Sequence, residues 1–259
     1  MNRSRRVFAS FCAIAMVALL GAPALAQMSE VKEKPPMYSY VGSWIIPRAQ
    51  WGDMEKNDMA DQKILDKALA NGTLVGYGND VNLVHTVDGE THDGWWSAMS
   101  MAGLLNVLEQ FYQSGGATVP VLASATKHWD DIFVSRYYNW HSGSWKGAYT
   151  HVSSYKLKTD APDDAVEKLS KSVLVPFFEK LLADGTVQEY EVDTEAIHTE
   201  APDMFFVIYI TGNAEGLDKV NAALMAALKA DPLIGPAFDS MVDFSAHRDQ
   251  LARTNATYK

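Results

Sequence analysis

The sequence has little cysteine, little positive charge and no long apolar run beyond its N-terminus. Its 259 residues include one cysteine, and 22 Lys and Arg against 32 Asp and Glu give a net charge of −10. Because that cysteine, Cys12, lies in the N-terminal apolar segment, the rest of the chain cannot form a disulfide or a cysteine-ligated zinc site. The acidic balance excludes nucleic acid as a partner, since no basic patch is present to contact phosphates. Walker, G-x-S-x-G and H-E-x-x-H sequences are also absent.

The first 26 residues have the pattern of a secretory signal peptide. Arg3, Arg5 and Arg6 precede the apolar stretch 7–20, and Ala24-Leu25-Ala26 supplies a small-residue cleavage site before Gln27. The adjacent arginines also resemble a twin-arginine signal, so export by the Sec or the twin-arginine pathway is open. We expect a periplasmic or secreted protein with no membrane attachment after cleavage, because no other stretch approaches 18 apolar residues.

The remaining chain contains two similar segments. Leu-Ala-Asn-Gly-Thr-Leu at 69–74 matches Leu-Ala-Asp-Gly-Thr-Val at 182–187, at an offset of 113 residues. Other collinear matches pair 38–44 with 149–155 and 131–136 with 243–248. Nearly constant spacing between three matches indicates an internal duplication.

Each copy has the pattern strand–helix–strand–strand–helix–strand, the order of a ferredoxin-like unit. One such sheet carries helices on one face and must bury the other, and a tandem copy supplies the partner. The expected boundaries are a signal peptide (1–26), an N-terminal extension (27–37), a first repeat (38–138), a linker (139–148), a second repeat (149–250) and a C-terminal tail (251–259).

This order, length and duplication resemble the dimeric α+β barrel superfamily in a fused, two-repeat form, over residues 38–250. The resemblance implies an α+β fold in which two tandem ferredoxin-like βαββαβ units pack sheet to sheet as an intramolecular barrel. The superfamily includes antibiotic-biosynthesis-type monooxygenases, muconolactone isomerases, haem-degrading enzymes, dye-decolourising peroxidases and chlorite dismutases. It also includes proteins without known activity, so the resemblance selects no single reaction.

Two histidines form the first candidate site. Asp88-Gly89 is typical of a two-residue hairpin turn, which would place His85 directly opposite His92. Two neighbouring imidazoles could share a divalent metal ion, or act as acid and base beside a substrate. The alternative is a solvated hairpin tip whose histidines merely pair.

Tyrosine positions extend that site. Tyr77 precedes His85 by eight residues and Tyr190 precedes His198 by eight, so each pair shares one face of a strand. We expect that face to line the barrel interior, with Tyr77 a third catalytic candidate, although packed core tyrosines are an alternative. The residues expected to line the substrate pocket are Trp96, His151, Tyr190, His198 and Arg136. Arg136, with Arg248 as its expected counterpart, could instead form an ion pair with Asp131.

The sequence therefore favours one pocket for an apolar or aromatic small molecule, with monooxygenase-like or isomerase-like chemistry. Haem or a divalent metal ion are open as cofactors. A non-catalytic protein that binds haem or another hydrophobic ligand is one alternative, and a structural or assembly module is another. The chain is expected to be a monomer or a homodimer.

Overall fold

A computed structural model describes residues 31–84, 88–199 and 202–259. The expected signal peptide and His85 lie outside the described residues. One compact unit extends from Glu33 to Lys259. No helix in the described ranges is long and apolar enough to cross a membrane.

Eight strands and seven α-helices are found in the described residues. The strands are β1 (Met37–Trp44), β2 (Gly76–Asn82), β3 (His92–Ala98), β4 (His128–Trp140), β5 (Gly143–Leu157), β6 (Glu189–Ile197), β7 (Met204–Thr211) and β8 (Val242–Tyr258). The helices are α1 (Trp51–Ala70), α2 (Met101–Ser114), α3 (Pro120–Ala123), α4 (Ala165–Leu169), α5 (Val175–Ala183), α6 (Ala214–Ala230) and α7 (Ile234–Met241).

The strands form a closed antiparallel barrel in the order β1-β3-β2-β8-β5-β7-β6-β4, with β4 pairing back to β1. We call β1–β4 with their helices the first half and β5–β8 with theirs the second half. In both halves the first strand lies between the fourth and the third. Closure leaves no unpaired sheet edge, and alternate side chains face the barrel interior and the surrounding helices.

Local sequence accounts for several helix ends. The Ser100 hydroxyl accepts a hydrogen bond from the Gly103 amide at the start of α2, and Asn213 does the same for Gly216 at the start of α6. Gly72 and Gly185 follow α1 and α5 with φ of +80° and +76°. Glycine adopts this left-handed conformation without strain, so both helices end at an Asn-Gly or Asp-Gly pair.

Two expected boundaries and one expected strand register differ from the structure. β4 and β5 extend through the expected linker 139–148, so that only residues 141 and 142 separate the two strands. β8 likewise extends through the expected tail to Tyr258, because its far end pairs with β2 and closes the barrel. Long strands that bridge the two halves replace the expected linker and tail.

The hairpin register is the third difference. β2 and β3 pair with Val81 opposite His92, and the loop between them covers nine residues rather than two. The Asn82 amide donates to the buried Asp93 carboxylate at 3.0 Å and to the Glu90 carbonyl at 3.2 Å, which stabilises this register. The expected pairing of His85 with His92 is therefore wrong.

Candidate active-site cleft

A cavity of about 810 Å³ lies between the helices of the first half and the outer face of its sheet. Its sheet wall is built by residues of β1–β4 together with the adjoining ends of β5 and β8, and its opposite wall by α1 and α2. The aromatic residues around it are Tyr40, Trp44, Tyr77, Trp95, Trp96, Phe111, Tyr112 and Trp145. The acidic residues around it are Glu55, Asp58, Asp61, Asp66 and Asp130.

Aromatic rings cover the sheet wall of this cleft. Tyr40 and Trp96 stack with centroids 4.1 Å apart, and the Trp96 indole N–H donates to the Leu104 carbonyl at 3.2 Å. The Trp44 ring lies over Gly42, where a Cβ atom would come within 2.7 Å of the ring. Glycine at this strand position therefore lets the indole lie close to the sheet, as a flat apolar surface.

Two phenol–carboxylate pairs lie in the cleft. The Tyr40 hydroxyl donates to Asp130, and the Tyr77 hydroxyl donates to Asp66 of α1 at 2.5 Å. Burial, reinforced by these hydrogen bonds, raises the pKa of both phenols. Both tyrosines therefore remain neutral hydrogen-bond donors at physiological pH.

Among the carboxyl groups that line the cleft, Asp58 has the pKa best suited to proton transfer near neutral pH. Asp58 belongs to α1 and is half-buried against the sheet, and this loss of solvent raises its pKa to about 7, although the Asn79 amide donates to its carboxylate at 2.8 Å. Burial also raises the pKa of the neighbouring Asp61. A carboxylate whose pKa lies near the working pH can both accept and return a proton, as general acid–base catalysis requires.

His128 and Asp130 stand at the more exposed side of the cleft. The His128 Nδ1–H donates to the Ser43 carbonyl at 2.9 Å, because a carbonyl can only accept. Its Nε2 lies 3.3 Å from Asp130 Oδ1, the oxygen that also accepts from Tyr40, and its ring stacks on Trp44 at 4.8 Å. One carboxylate oxygen thus joins a phenol and an imidazole in a chain along which a proton can move.

The second half repeats this arrangement around Asp249. The His247 ring stacks on Tyr155 at 4.5 Å, its Nδ1–H donates to the Ser154 carbonyl at 3.0 Å, and its Nε2 lies 3.2 Å from Asp249 Oδ2. His151 takes the place of Tyr40, with Nε2 3.8 Å from Asp249 Oδ1. Burial lowers the pKa of His151.

The helix-facing side of the second half is filled. Phe178 of α5 is 4% exposed and stacks on Tyr190 at 5.3 Å, with Tyr209 at 5.5 Å. The Tyr190 hydroxyl donates to Glu179 at 2.7 Å, as Tyr77 does to Asp66. An aromatic cluster therefore occupies in this half the layer where the first half has its cleft.

His92 and Tyr77, the two expected catalytic residues that the structure describes, contact different parts of α1. His92 is 3% exposed, packs against Trp51 at the start of α1 and has Val81 as its strand partner. Tyr77 does not face the barrel interior, contrary to expectation, because Asp80 and Asn82 take the inward positions of β2 and leave Tyr77 towards α1. Among the described residues, no three His, Cys, Asp or Glu side chains are arranged to hold a metal ion.

The expected pocket residues are also dispersed. Trp96 lines the cleft, whereas Tyr190 and His151 face the helices of the second half rather than the barrel interior. His198 is 83% exposed with Nδ1 3.6 Å from Glu195, and Arg136 lies 3.9 Å from Glu33.

Haem does not fit the residues of the cleft. His128 is the one imidazole among its lining residues in the described chain, and Asp130 stands 3.3 Å from the Nε2 atom that an iron would need. The described residues thus offer haem no free axial imidazole in this arrangement.

Four residues that line the cleft were not predicted from the sequence to be site residues: Trp44, Asp58, His128 and Asp130. A recurring motif could have indicated two of them: His128-Trp-Asp130 corresponds to His247-Arg-Asp249, at an offset of 119 residues. The strand registers fix this offset, since Ser43 pairs with Trp129 and Ser154 pairs with Arg248. Arg248 is therefore the counterpart of Trp129 and not, as expected, of Arg136.

Several solved structures of other proteins superpose on this chain over most of its length. A candidate monooxygenase from Lactobacillus acidophilus NCFM superposes with a TM-score of 0.61 at 13% identity, covering 87% of this chain and 97% of that chain. A candidate monooxygenase from Fusobacterium nucleatum gives 0.59 at 6% identity, covering 87% and 95%, and an anthrone oxidase-like protein gives 0.51 at 10%, covering 87% and 94%.

The fold is that of the dimeric α+β barrels. At these identities the likeness shows the fold alone. No protein-family model matches the chain, and no curated protein matches it in sequence.

Proposed function

We propose that the chain is an enzyme that abstracts a proton from an aromatic or other apolar small molecule in the cleft of the first half. The observation that carries the proposal is Asp58, a carboxyl group with a pKa of about 7 in a cavity lined by aromatic rings. Deprotonation is the step that monooxygenase-like and isomerase-like reactions on phenols and activated C–H groups share. The names of the structural neighbours favour the first of these.

The cleft residues divide this task. Trp44 and Trp96 offer flat surfaces for an aromatic substrate, and the Tyr40 hydroxyl, which donates its one proton to Asp130, holds that carboxylate at the cleft wall. The substrate proton passes to the Asp58 carboxylate and leaves a carbanion or phenolate. Its return to a different carbon completes an isomerisation, whereas electron transfer from the anion to dioxygen begins an oxygenation.

The test compares two aspartates of α1. Turnover of a panel of phenols, anthrones and enol lactones is followed by absorbance and oxygen consumption for the wild type, Asp58→Asn and Asp53→Asn. Asp53 is exposed and paired with Lys56, so its replacement makes the same chemical change outside the cleft. We expect Asp58→Asn to lower kcat about 10²- to 10⁴-fold and Asp53→Asn to leave it unchanged. Full activity of Asp58→Asn would refute the assignment.

We further propose that the two halves arose by duplication of a ferredoxin-like unit, although the strands extend each repeat beyond the expected bounds 38–138 and 149–250. Support comes from the repeated Tyr77–Asp66 and Tyr190–Glu179 hydrogen bonds, each across 11 residues. Export through cleavage before Gln27 is part of the same proposal. Mass spectrometry of the exported protein should find Gln27 as the first residue, and an intact 1–26 segment would contradict it.

A further inference from the structure

A second cavity, of about 320 Å³, lies inside the barrel, on the other face of the sheet from the cleft. Inward side chains from all eight strands line it. One end of the cavity is lined by Arg248 and Asp249, which are exposed to solvent. Its wall also includes the buried Tyr258, which is 3% exposed. The barrel interior is therefore a cavity with its own access and not a packed core.

Three carboxyl groups follow one wall of this cavity. Glu189, Glu191 and Asp193 alternate along β6, so their side chains point inward at intervals of about 7 Å. They are 1%, 7% and 0% exposed. Asp80 of β2, also 7% exposed, adds a fourth carboxyl group to the lining.

Five of the six carboxyl oxygens of the β6 row are buried without a close hydrogen-bond partner. Both carboxyl oxygens of Glu189 and of Asp193 are buried and unpartnered, and so are one oxygen of Glu191 and one of Asp80. A neutral group in the same wall, the Thr150 hydroxyl, is also buried without a partner and lies 4% exposed. Buried polar atoms in native proteins are nearly always satisfied, so this wall has the character of a binding surface.

Asp93 provides the contrast within the same cavity. It accepts hydrogen bonds from Ser43 at 2.6 Å, Asn82 at 3.0 Å and Gln250 at 3.1 Å. The chain therefore supplies three close donors to Asp93, whereas in the described residues the β6 row has only the Ser39 hydroxyl beside Glu191 and the Ser135 hydroxyl beside Asp193, and Glu189 has no donor. A bound cation with several N–H donors would satisfy that row.

The spacing of the row favours an organic cation over a metal ion. A calcium ion draws oxygen ligands to within about 2.6 Å of one point, whereas carboxyl groups on alternate residues of a strand lie about 7 Å apart. No three acidic or histidine side chains of the described chain are arranged around one such point. Two nitrogens joined by four methylenes lie about 6 Å apart when extended, given bonds of ~1.5 Å.

The remaining lining suits the methylene segments of such a molecule. Trp95, Ile208, Ile210 and Tyr258 line the cavity together with the acidic row. Aromatic faces attract ammonium groups, and aliphatic side chains pack against methylenes. We propose that the barrel interior binds a linear aliphatic polyamine, whose successive ammonium groups contact Glu189, Glu191 and Asp193.

Protonation gives this proposal a signature in the wild-type protein. Burial raises the pKa of Glu191 to about 7 and raises those of Glu189 and Asp193 well above their usual range. Because an ammonium group stabilises the ionised carboxylates, binding should release protons into the buffer.

Isothermal titration calorimetry with spermidine at pH 6.5 tests the proposal, with 1-butylamine as the single-charge comparison. We expect wild-type protein to bind spermidine more tightly than 1-butylamine, with proton release that appears as a buffer-dependent heat. Glu189→Gln and Asp193→Asn should each weaken spermidine binding about 10- to 100-fold, because each removes a charged hydrogen-bond acceptor. The control Asp53→Asn removes an exposed carboxylate and should bind like the wild type.

Several results would overturn the proposal. They are absence of spermidine binding, binding without proton release, and binding that Glu189→Gln and Asp193→Asn leave unchanged. Tight binding of calcium chloride in place of spermidine, lost in the same variants, would also overturn it by showing a metal site. Because proton release is measured on the wild type, the result does not depend on how well a variant folds.

Discussion

The two halves of the barrel share a strand order and a His–Asp pair but differ in the layer between sheet and helices. In the first half this layer contains a cavity of about 810 Å³, and in the second half Phe178, Tyr190 and Tyr209 fill it. The sheets are alike, so the helices must account for the difference. The two halves therefore share an architecture, but only the first has the cavity between sheet and helices.

Residues at the offset of 113 show how the difference is encoded. Asp61 and Gln62 line the cleft, whereas their counterparts Leu174 and Val175 are buried at 8% exposure each. The helix residues that bond the strand tyrosines, Asp66 and Glu179, keep their acidic character. Polar helix residues thus leave room beside the sheet, and apolar ones remove that room by packing.

The first and largest expected effect concerns packing. Phe178→Ala should lower the free energy of unfolding by about 3–5 kcal/mol, because it empties the aromatic cluster of the second half. Its counterpart Leu65→Ala should cost about 1–2 kcal/mol, since Leu65 already borders the cavity. Urea unfolding followed by circular dichroism measures both. Equal losses would show that the two layers do not differ in packing.

The second prediction separates the two His–Asp pairs by function. His128→Ala should lower kcat about 10- to 100-fold, because it breaks the proton path through Asp130 to Tyr40. His247→Ala should leave kcat within about twofold, since its pair lies on the filled side. Steady-state kinetics on one substrate compares them. A loss of activity in His247→Ala alone would move the active site to the second half.

The third and smallest effect is on stability against pH. The folded pKa of Asp58, about 7, lies above its unfolded value, so the folded state binds the proton more tightly. Stability from this group is therefore full at low pH and is lost as pH rises towards 7. Asp58→Asn should be more stable than the wild type by about 1–3 kcal/mol at pH 8 and equal to it at pH 4. Thermal melts at both pH values measure the difference, and an unchanged difference between them would contradict the burial of Asp58.

The features that the sequence predicted correctly are those encoded by neighbouring residues or by the repeated segment. Strand order, helix ends and barrel closure depend on apolar periodicity, Gly72, Gly185 and a repeated segment, all of which are local or recur in the chain. The histidine site failed because one assumed turn set the register. The observed register is fixed by contacts of Asn82 with Asp93 and Glu90.

The cleft was missed for a different reason. Asp58 is an ordinary surface-like residue of a polar helix in the sequence, and its pKa is raised only because α1 lies over the sheet. His128 and Asp130 were not aligned with His247 and Asp249, because the match of 131–136 with 243–248 shifted the end of the second copy by seven residues. The raised pKa of Asp58 and the location of His128 and Asp130 beside the cleft both depend on contacts between elements that are distant in the sequence.

NMR chemical-shift mapping shows directly whether an aromatic ligand binds in the cleft of the first half. An anthrone probe is titrated into ¹⁵N-labelled protein, with the indole signals of Trp44 and Trp96 assigned from Trp→Phe variants. We expect saturable shifts at those two indoles and along α1 and α2, with none along α5. Shifts confined to α5 and α6, or no saturable shift in the first half, would contradict the account.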